Sequence, residues 1–492
     1  MLSEFIEKLK QPFQSRSFVG RCLSSGGVLA FGGLIESLSR FARNIILARI
    51  LAPEAFGLMA TVMASIAAIE AFTQVGLRQS VIQNKHGAEE EFLIATWWIS
   101  TLRGLFLYCI AFMGAPLISS FLNQPEATNV LRAGFLVLPI SSLISPGLHV
   151  LEKELRFTKW MILTQGAAVI GIAVGIVMAF FLRNVWALLL AYITEAFLRT
   201  LFSFVFCPIK PILPLNRTYL REILTFSRRL FGLPILFVIY AQTDVFIVGK
   251  VLSLKHLGAY TLVRSFSDML STFFAKAVDP LVLPIFAMMQ DHRDRLKQTL
   301  LGATKVIGVF AIPLTVFMAL FSEHLLQLVY GQEYAALALP FSALCVHTLI
   351  LIFSSLIGQI YFAIGRPNIH RTASIIRTAV YLVLIYPATK VLGLLGTSLT
   401  ALIAMCVLLS VLLIYAGKII DFSLTEYLSS WLPGIKASLF VIVPGVFIKM
   451  FFHAGDVVTC VIGILLCCAA WLYGGFSLGL ISKDGFSLNK IK

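Results

Sequence analysis

Charged side chains are scarce in this sequence. Only 13% of its 492 residues are Asp, Glu, Lys or Arg, whereas soluble globular domains carry about 25%. Hydrophobic residues make up 59% of the chain, and the mean hydropathy is +0.91. This balance excludes an ordinary water-soluble enzyme or binding module, and we expect an integral membrane protein without a separate soluble domain.

The sequence also lacks the motifs that carry most enzyme chemistry. It contains no P-loop, no HExxH and no paired His/Asp metal set. Its eight cysteines form neither a CxxC motif nor a Cys/His ligand set, and most lie in apolar runs. We therefore expect no catalysis, cofactor, metal or disulfide. Any energy input would come from H⁺ or Na⁺ coupling, from the membrane potential or from downstream consumption of the product.

Acidic residues are few beside basic ones. The chain has 24 Asp and Glu against 39 Lys and Arg, a net charge of +15. The excess lies on alternate connections between apolar runs, such as 153–159 and 288–299, whereas 123–128 carries no basic residue. Because Lys and Arg collect on the cytoplasmic side of membrane proteins, we expect both termini to be cytoplasmic, in a bacterial inner membrane. This pattern explains the positive charge without a nucleic-acid partner.

Apolar runs long enough to cross a bilayer recur along the whole chain. A crossing helix needs about 20 mostly apolar residues, and on that measure we predict fourteen spans. They lie at 24–49, 56–82, 92–118, 130–152, 160–182, 185–206, 225–250, 257–287, 300–321, 335–363, 370–390, 394–417, 432–453 and 457–480. The predicted fold class is an all-α integral membrane protein.

A weak internal repeat relates two parts of the chain. Residues 46–60, ILARILAPEAFGLMA, align with residues 247–261, IVGKVLSLKHLGAYT, so that Gly57 meets Gly258. Each copy joins the first two spans of a six-span half, and an even number of spans makes the two halves parallel. We expect two parallel six-helix lobes around a central cavity, followed by two C-terminal helices.

These elements divide the chain into six predicted segments. They are a cytoplasmic tail at 1–23, an N-lobe at 24–206, a cytoplasmic linker at 207–224, a C-lobe at 225–417, the last two spans at 418–480 and a cytoplasmic tail at 481–492.

Several charged residues lie inside the apolar spans. An ionised side chain at the bilayer centre costs roughly 2.5–3.5 kcal/mol, so such residues usually face a polar path. In the first span three of them share one helical face, at i, i+4 and i+7. The candidates for substrate binding are Glu36, Arg40, Arg43, Arg78, Arg103, Arg264 and Arg377. The acidic candidates for ion coupling are Asp244, Asp268 and Asp279.

Two interpretations of these charges remain open. Fixed ion pairs that hold helices together explain Glu195 and Arg199 well and would equally explain Arg264 and Asp268. They explain the other N-terminal arginines less well, because acidic partners are fewer there. Guanidinium groups bind phosphate bidentately and stay charged when buried. The arginine excess therefore favours an anionic passenger, such as a lipid-linked diphosphate sugar.

Several segments resemble one family of membrane transporters. They are ARILAPEAFGLMA at 48–60, GLRQSVIQNK at 76–85, KELRF at 153–157, LPIFAMMQDHRDRL at 283–296 and LVYGQEYAALALPFSALCV at 328–346. These segments are similar to the polysaccharide flippases of the multidrug/oligosaccharidyl-lipid/polysaccharide exporter superfamily, in its O-antigen and colanic-acid exporter branch. The resemblance covers about the first 420 residues and agrees with the two-lobe arrangement.

The resemblance implies a function and a set of partners. Family members flip undecaprenyl-diphosphate-linked glycans by alternating access, for O-antigen or exopolysaccharide synthesis. A polysaccharide polymerase and glycosyltransferases are the implied partners, along with membrane lipids. Cavity arginines on spans one, two and eight of related lipid II flippases correspond by position to Arg40 or Arg43, Arg78 and Arg264.

Two other functions stay open at this point. A cation-coupled drug exporter of the same superfamily would use acidic cavity sites, and the arginine bias argues against cationic drugs. A membrane-embedded glycan polymerase or ligase would present a large external loop with catalytic residues, whereas the predicted external connections are short.

Overall fold

The structure is a computed structural model that describes residues 18–71, 73, 76–154, 156–210, 216–230, 233–451, 456–477, 481–482 and 485–486. Side chains are described in these ranges except at 18–31, 226–234, 277, 279–281, 451 and in the two short strands. The predicted cytoplasmic tails lie largely outside the described residues, as does the side chain of Asp279.

Two compact units make up the chain, 1–258 and 259–492. The first unit contains α1 (Phe18–Ala48), α2 (Pro53–Ala71), α3 (Leu77–Gln83), α4 (Glu90–Phe121), α5 (Ala127–Gly134), α6 (Val137–Ser142), α7 (Gly147–Lys153), α8 (Phe157–Leu182), α9 (Val185–Phe206), α10 (Arg217–Leu230), α11 (Leu233–Val251) and the start of α12 (Leu254–Ala277). The predicted C-lobe begins at residue 225 and would include α11, whereas the observed first unit, which ends at residue 258, contains α11. The lobe limits themselves stay a prediction.

The second unit is also built from helices. It contains the rest of α12, then α13 (Asp279–Met288), α14 (Arg293–Leu320), α15 (Ser322–Val329), a 3₁₀ turn (Gln332–Leu337), α16 (Ala338–Ala363), α17 (Pro367–Ile420), α18 (Leu424–Ser429), α19 (Leu432–Phe451) and α20 (Asp456–Ser477). Two strands of two residues each, β1 (Ile481–Ser482) and β2 (Gly485–Phe486), pair antiparallel. The predicted fold class, an all-α multi-span membrane protein, is confirmed.

The number of membrane crossings is a separate question. Within the described residues nine helices are long and apolar enough to cross a bilayer, or ten if a bent pair is one span. That number treats α17 as one helix and leaves out α1, α11 and α12. The predicted number of fourteen therefore stays a prediction.

Helix α17 is a helical hairpin. Its 54 residues would extend about 80 Å at 1.5 Å per residue, far more than the roughly 30 Å of a bilayer core. Gly393 interrupts it with φ 60° and ψ −138°, a backbone conformation that glycine adopts readily and that is sterically strained for residues with a Cβ atom. Thr389 and Thr397 share a hydroxyl hydrogen bond of 2.9 Å, although eight residues of straight helix would separate them by about 12 Å. The chain therefore reverses where the sequence predicts the turn between 370–390 and 394–417.

Other predicted spans are broken helices, which is a correction to the sequence-based boundaries. The predicted span 56–82 ends as α2 at Ala71, and α3 starts after Gly76, which has φ 56°. The predicted span 257–287 breaks at Val278, because the Asp279–Pro280 step that follows removes a backbone donor and disfavours continued helix. Apolar length alone does not reveal these breaks.

The predicted span 130–152 is also broken. Its residues form α5, α6 and α7, with a bend of 62° between 127–142 and 147–153. Pro146 lies at the bend and begins α7 as its cap. This bend leaves room beside it for the polar cavity described below.

Helix α10 overlaps the predicted linker and packs on the first unit. Ile223 is 1% exposed and joins a cluster with Val81 and Phe92. Tyr219 donates its hydroxyl to Glu89 Oε2 at 2.6 Å. The hydrogen bonds from Tyr219 and then His86 lower the pKa of Glu89, and the first of them raises the pKa of Tyr219 to about 12. The contact is therefore complete at neutral pH and is lost as the pH falls through the lowered pKa of Glu89.

The two copies of the internal repeat meet at their aligned glycines. A Cβ atom built on Gly57 would overlap the backbone carbonyl of Leu254, and one built on Gly258 would overlap the carbonyl of Pro53. The first turns of α2 and α12 therefore cross with their backbones in direct contact, which only glycine permits. By the loop charges, this crossing lies at the predicted external side.

Candidate functional site

The charges of the first span belong to a network that joins three helices of the first unit. Arg40 on α1 donates from Nε to Glu36 Oε1 at 3.1 Å and from Nη2 to Glu195 Oε1 on α9 at 2.7 Å. Arg199 donates to the same Glu195 oxygen at 2.9 Å, and Gln165 on α8 donates to Glu36 Oε2 at 2.8 Å. Each carboxylate thus accepts from two side chains, and the network fixes α1 against α8 and α9.

Ion pairing explained Arg40 less well than Glu195 and Arg199 on sequence grounds, but the structure places Arg40 in two ion pairs. The Glu195 side chain is 10% exposed and sits between two guanidinium groups that are about one-third exposed. A carboxylate in that position cancels the repulsion between the two cations. We therefore assign Arg40 mainly to holding helices together.

Glu195→Gln is expected to destabilise the protein. The change leaves Arg40 and Arg199 close together without their shared anion, at a cost of about 2 kcal/mol, reduced from the usual buried-pair value by partial exposure. A lower melting temperature in detergent is the measurement. The matched control is Glu154→Gln, which removes the exposed pair with Arg156 and should leave the melting temperature unchanged. Equal melting temperatures for both variants would contradict the assignment.

Arg43 differs from Arg40 in its partners. Its Nε and Nη2 both donate to Asn44 Oδ1, at 3.3 and 3.1 Å. Within the described residues no carboxylate oxygen lies within 4 Å of its guanidinium. An amide oxygen satisfies donors but does not neutralise charge. Arg43 is therefore a half-buried cation that can still take up an anion.

Arg103 has an intermediate environment. Its Nε donates to Thr73 Oγ1 at 3.1 Å, and Glu70 near the end of α2 acts on it electrostatically. No ion pair of 4 Å or less joins the two charges in the described part of the chain. Arg103 thus keeps much of its capacity to bind an anion.

Arg78 lines a polar cavity inside the first unit. It donates from Nη2 and Nε to Glu152 Oε2 at 2.6 and 2.8 Å, and His149 Nδ1 lies 3.4 Å from Glu152 Oε1. The cavity has a volume of about 460 Å³, and Arg199 and Trp160 also line it. Arg199 therefore connects the helix-fixing network to this cavity.

Sequence reasoning missed several members of these sites. Glu152 and His149 lie in a charged stretch next to a predicted loop, where solvated charges are the ordinary expectation. Gln165 and Trp160 lie in an apolar span without a distinguishing pattern. Only the folding of α7 and α8 beside α3 and α9 brings them together.

The second-unit candidates with described side chains, Arg264, Asp268 and Arg377, lie on α12 and α17. Arg264 Nε is 3.6 Å from Asp268 Oδ2, with side chains 29% and 39% exposed. His347 on α16 is buried and interacts electrostatically with Arg264 and with Arg377. His347, which the sequence analysis did not single out, thus interacts with both arginine candidates.

The acidic candidates with described side chains lie in different units. Asp244 lies in the first unit on α11, fully buried, and its Oδ1 accepts a hydrogen bond from the Val245 amide at 3.0 Å. Asp268 lies in the second unit, beside Arg264. In the part of the chain that is described, no group of three His, Cys, Asp or Glu could hold a metal ion. Coupling to H⁺ or Na⁺ stays a prediction.

Comparison with known proteins identifies relatives of this chain. A family model described as "Polysaccharide biosynthesis protein" matches residues 46–339. The chain is 23% identical over 397 residues to the lipopolysaccharide biosynthesis protein WzxC of Escherichia coli strain K12, covering 79% of this chain and 80% of that protein. It is 23% identical over 296 residues to the succinoglycan biosynthesis transport protein ExoT of Rhizobium meliloti strain 1021, covering 60% of each.

A solved structure shares the fold. The lipid II flippase MurJ, in an inward closed conformation, superposes with a TM-score of 0.75 at 15% sequence identity. The match covers 92% of this chain and 99% of that one. At this identity the likeness establishes the architecture alone, that of a multi-span helical membrane protein.

Proposed function

Because the chain belongs to the polysaccharide biosynthesis protein family, we propose that it is a flippase that moves a lipid-linked oligosaccharide from the inner to the outer leaflet. It is a multi-pass membrane protein and a transporter, not an enzyme, as its relatives are transport proteins. In finer detail, we propose that the oligosaccharide is carried on undecaprenyl diphosphate and that the protein moves it by alternating access. We also propose that the protein lies in a bacterial inner membrane with both termini in the cytoplasm. The product would serve O-antigen or exopolysaccharide synthesis.

The environment of Arg43 is the observation that carries the proposal. Among the described residues this cation donates to a neutral amide, and Glu195 attracts it without forming an ion pair of 4 Å or less, so its charge is available to an anionic passenger. Arg103 adds a second cation that forms no close ion pair among the described residues. Phosphate oxygens suit guanidinium groups in both charge and geometry. The diphosphate of a lipid carrier is the group we assign to them.

The same environment weighs against a cationic drug as passenger. Such a molecule needs a carboxylate that is not already neutralised. Glu36, Glu152 and Glu195 each accept hydrogen bonds from arginine in this structure, and Glu70 interacts electrostatically with Arg103 without a close ion pair. The drug-exporter alternative therefore has less support than the glycan flippase.

Deletion of the gene is expected to block polysaccharide synthesis at the step in which the lipid-linked glycan moves between leaflets. Lipid-linked glycan should accumulate in the inner leaflet, because its synthesis continues while its movement stops. The measurement is mass spectrometry of extracted polyprenyl-diphosphate lipids, with a strain that carries the restored gene as control. Unchanged lipid pools in the deletion strain would contradict the proposal.

A further inference from the structure

The polar cavity of the first unit has a chemical character of its own. Its volume of about 460 Å³ lies within the range of small-molecule sites, roughly 300–1,000 Å³. Both of its arginines are already neutralised, Arg78 by Glu152 and Arg199 by Glu195. A phosphate dianion placed here would meet the Glu152 carboxylate without an uncommitted cation. The cavity therefore does not match the diphosphate that we assign to Arg43.

Residues with hydroxyl side chains lie among the apolar residues of the remaining wall. Thr96, Ser100, Ser141 and Thr164 line the cavity together with Leu77, Ile144, Pro146 and Leu148. Thr96 and Thr164 donate to backbone carbonyls of their own helices, so their oxygens can still accept a hydrogen bond. Such a wall suits a ligand that carries many hydroxyl groups, each both donor and acceptor.

Two buried donors of the wall have no acceptor within the described residues. They are Trp160 Nε1 and Arg199 Nε, and both residues line the cavity. A buried donor without an acceptor is energetically unfavourable. A ligand oxygen that accepts a hydrogen bond from either donor, once that side chain turns toward the cavity, would supply the missing bond.

Trp160 adds an aromatic surface to these polar groups. A sugar ring has polar edges and C–H faces, so it binds best where planar polar groups and an aromatic ring come together. Arg78, Glu152 and His149 supply the planar polar groups, and Trp160 is another of the residues that line the cavity. We propose that this cavity binds sugar rings of the transported glycan, apart from its diphosphate. This inference rests on the proposed function for the source of the ligand.

Binding of free sugars to the full-length protein in lipid nanodiscs tests the proposal. The probes are glucose, galactose, N-acetylglucosamine and glucuronic acid at millimolar concentration, observed by saturation-transfer NMR, with pyrophosphate as competitor. We expect at least one sugar to bind. Trp160→Phe keeps an aromatic ring but removes the indole N–H, and should weaken sugar binding about fivefold. Glu152→Gln should weaken it at least as much.

The control is Trp186→Phe, a tryptophan outside the cavity that should leave sugar binding unchanged. Absence of any sugar signal from the folded protein, or a signal that both cavity variants retain, would overturn the proposal. So would competition by pyrophosphate that Arg78→Gln abolishes, because the cavity would then be a phosphate site. Sugar binding is measured here without transport, so the lipid-pool experiment decides the flippase function independently.

Discussion

Gly57→Ala is expected to reduce transport to a tenth of the wild-type rate or less. The added methyl group would overlap the backbone carbonyl of Leu254, which cannot move without shifting the start of α12. Gly258→Ala should have the same effect through the carbonyl of Pro53. Overpacking of a tight contact costs typically about 1–3 kcal/mol. We therefore expect a lower melting temperature together with the loss of transport.

The matched control for both variants is Gly114→Ala. Gly114 also lies in a membrane helix, α4, but a Cβ atom built there has no neighbour within 4 Å. Its replacement should preserve transport and slightly favour the helix. Normal transport by both crossing variants would show that the two helices do not depend on this close approach.

Arg43→Glu is expected to lower transport about 100-fold without loss of protein. The change replaces the cation that we assign to the diphosphate by an anion that repels it, and a 100-fold effect corresponds to about 2.7 kcal/mol. No ion pair to another described residue is broken, since Arg43 donates to Asn44 alone. The melting temperature and the amount of protein in the membrane should therefore stay near the wild-type values.

Two further variants make this prediction specific. Arg40→Glu breaks contacts with Glu36 and Glu195, so it should lower the melting temperature as well as transport. Arg371→Glu reverses an exposed charge and should change neither. If Arg43→Glu transported at the rate of Arg371→Glu, Arg43 would have no role in binding the passenger.

The sequence predicts the helical class and the repeat, because apolar length and glycine spacing are local signals. Gly57 and Gly258 were aligned on sequence alone, and the structure places them in contact. The breaks at Gly76 and Val278 were missed. Hydropathy is the same for a continuous span and a kinked one, so it does not reveal them.

The partners of the arginines could not be predicted. Arg40 and Arg43 look equivalent in the first span, and they differ because Glu195 lies 155 residues away from Arg40 along the chain. In the same way Arg78 meets Glu152 only through the bend before α7. Whether a buried charge fixes helices or remains available for an anion depends on such distant contacts.

The most direct test is movement of a lipid-linked sugar by the purified protein in liposomes. The substrate is a fluorescent polyprenyl-diphosphate disaccharide, and its access to an external quencher reports the leaflet. We predict that wild-type protein equilibrates the lipid between leaflets much faster than protein-free liposomes do, and that Arg43→Glu stays at the protein-free rate. Equal rates for wild-type and protein-free liposomes, or full activity of Arg43→Glu, would contradict the account.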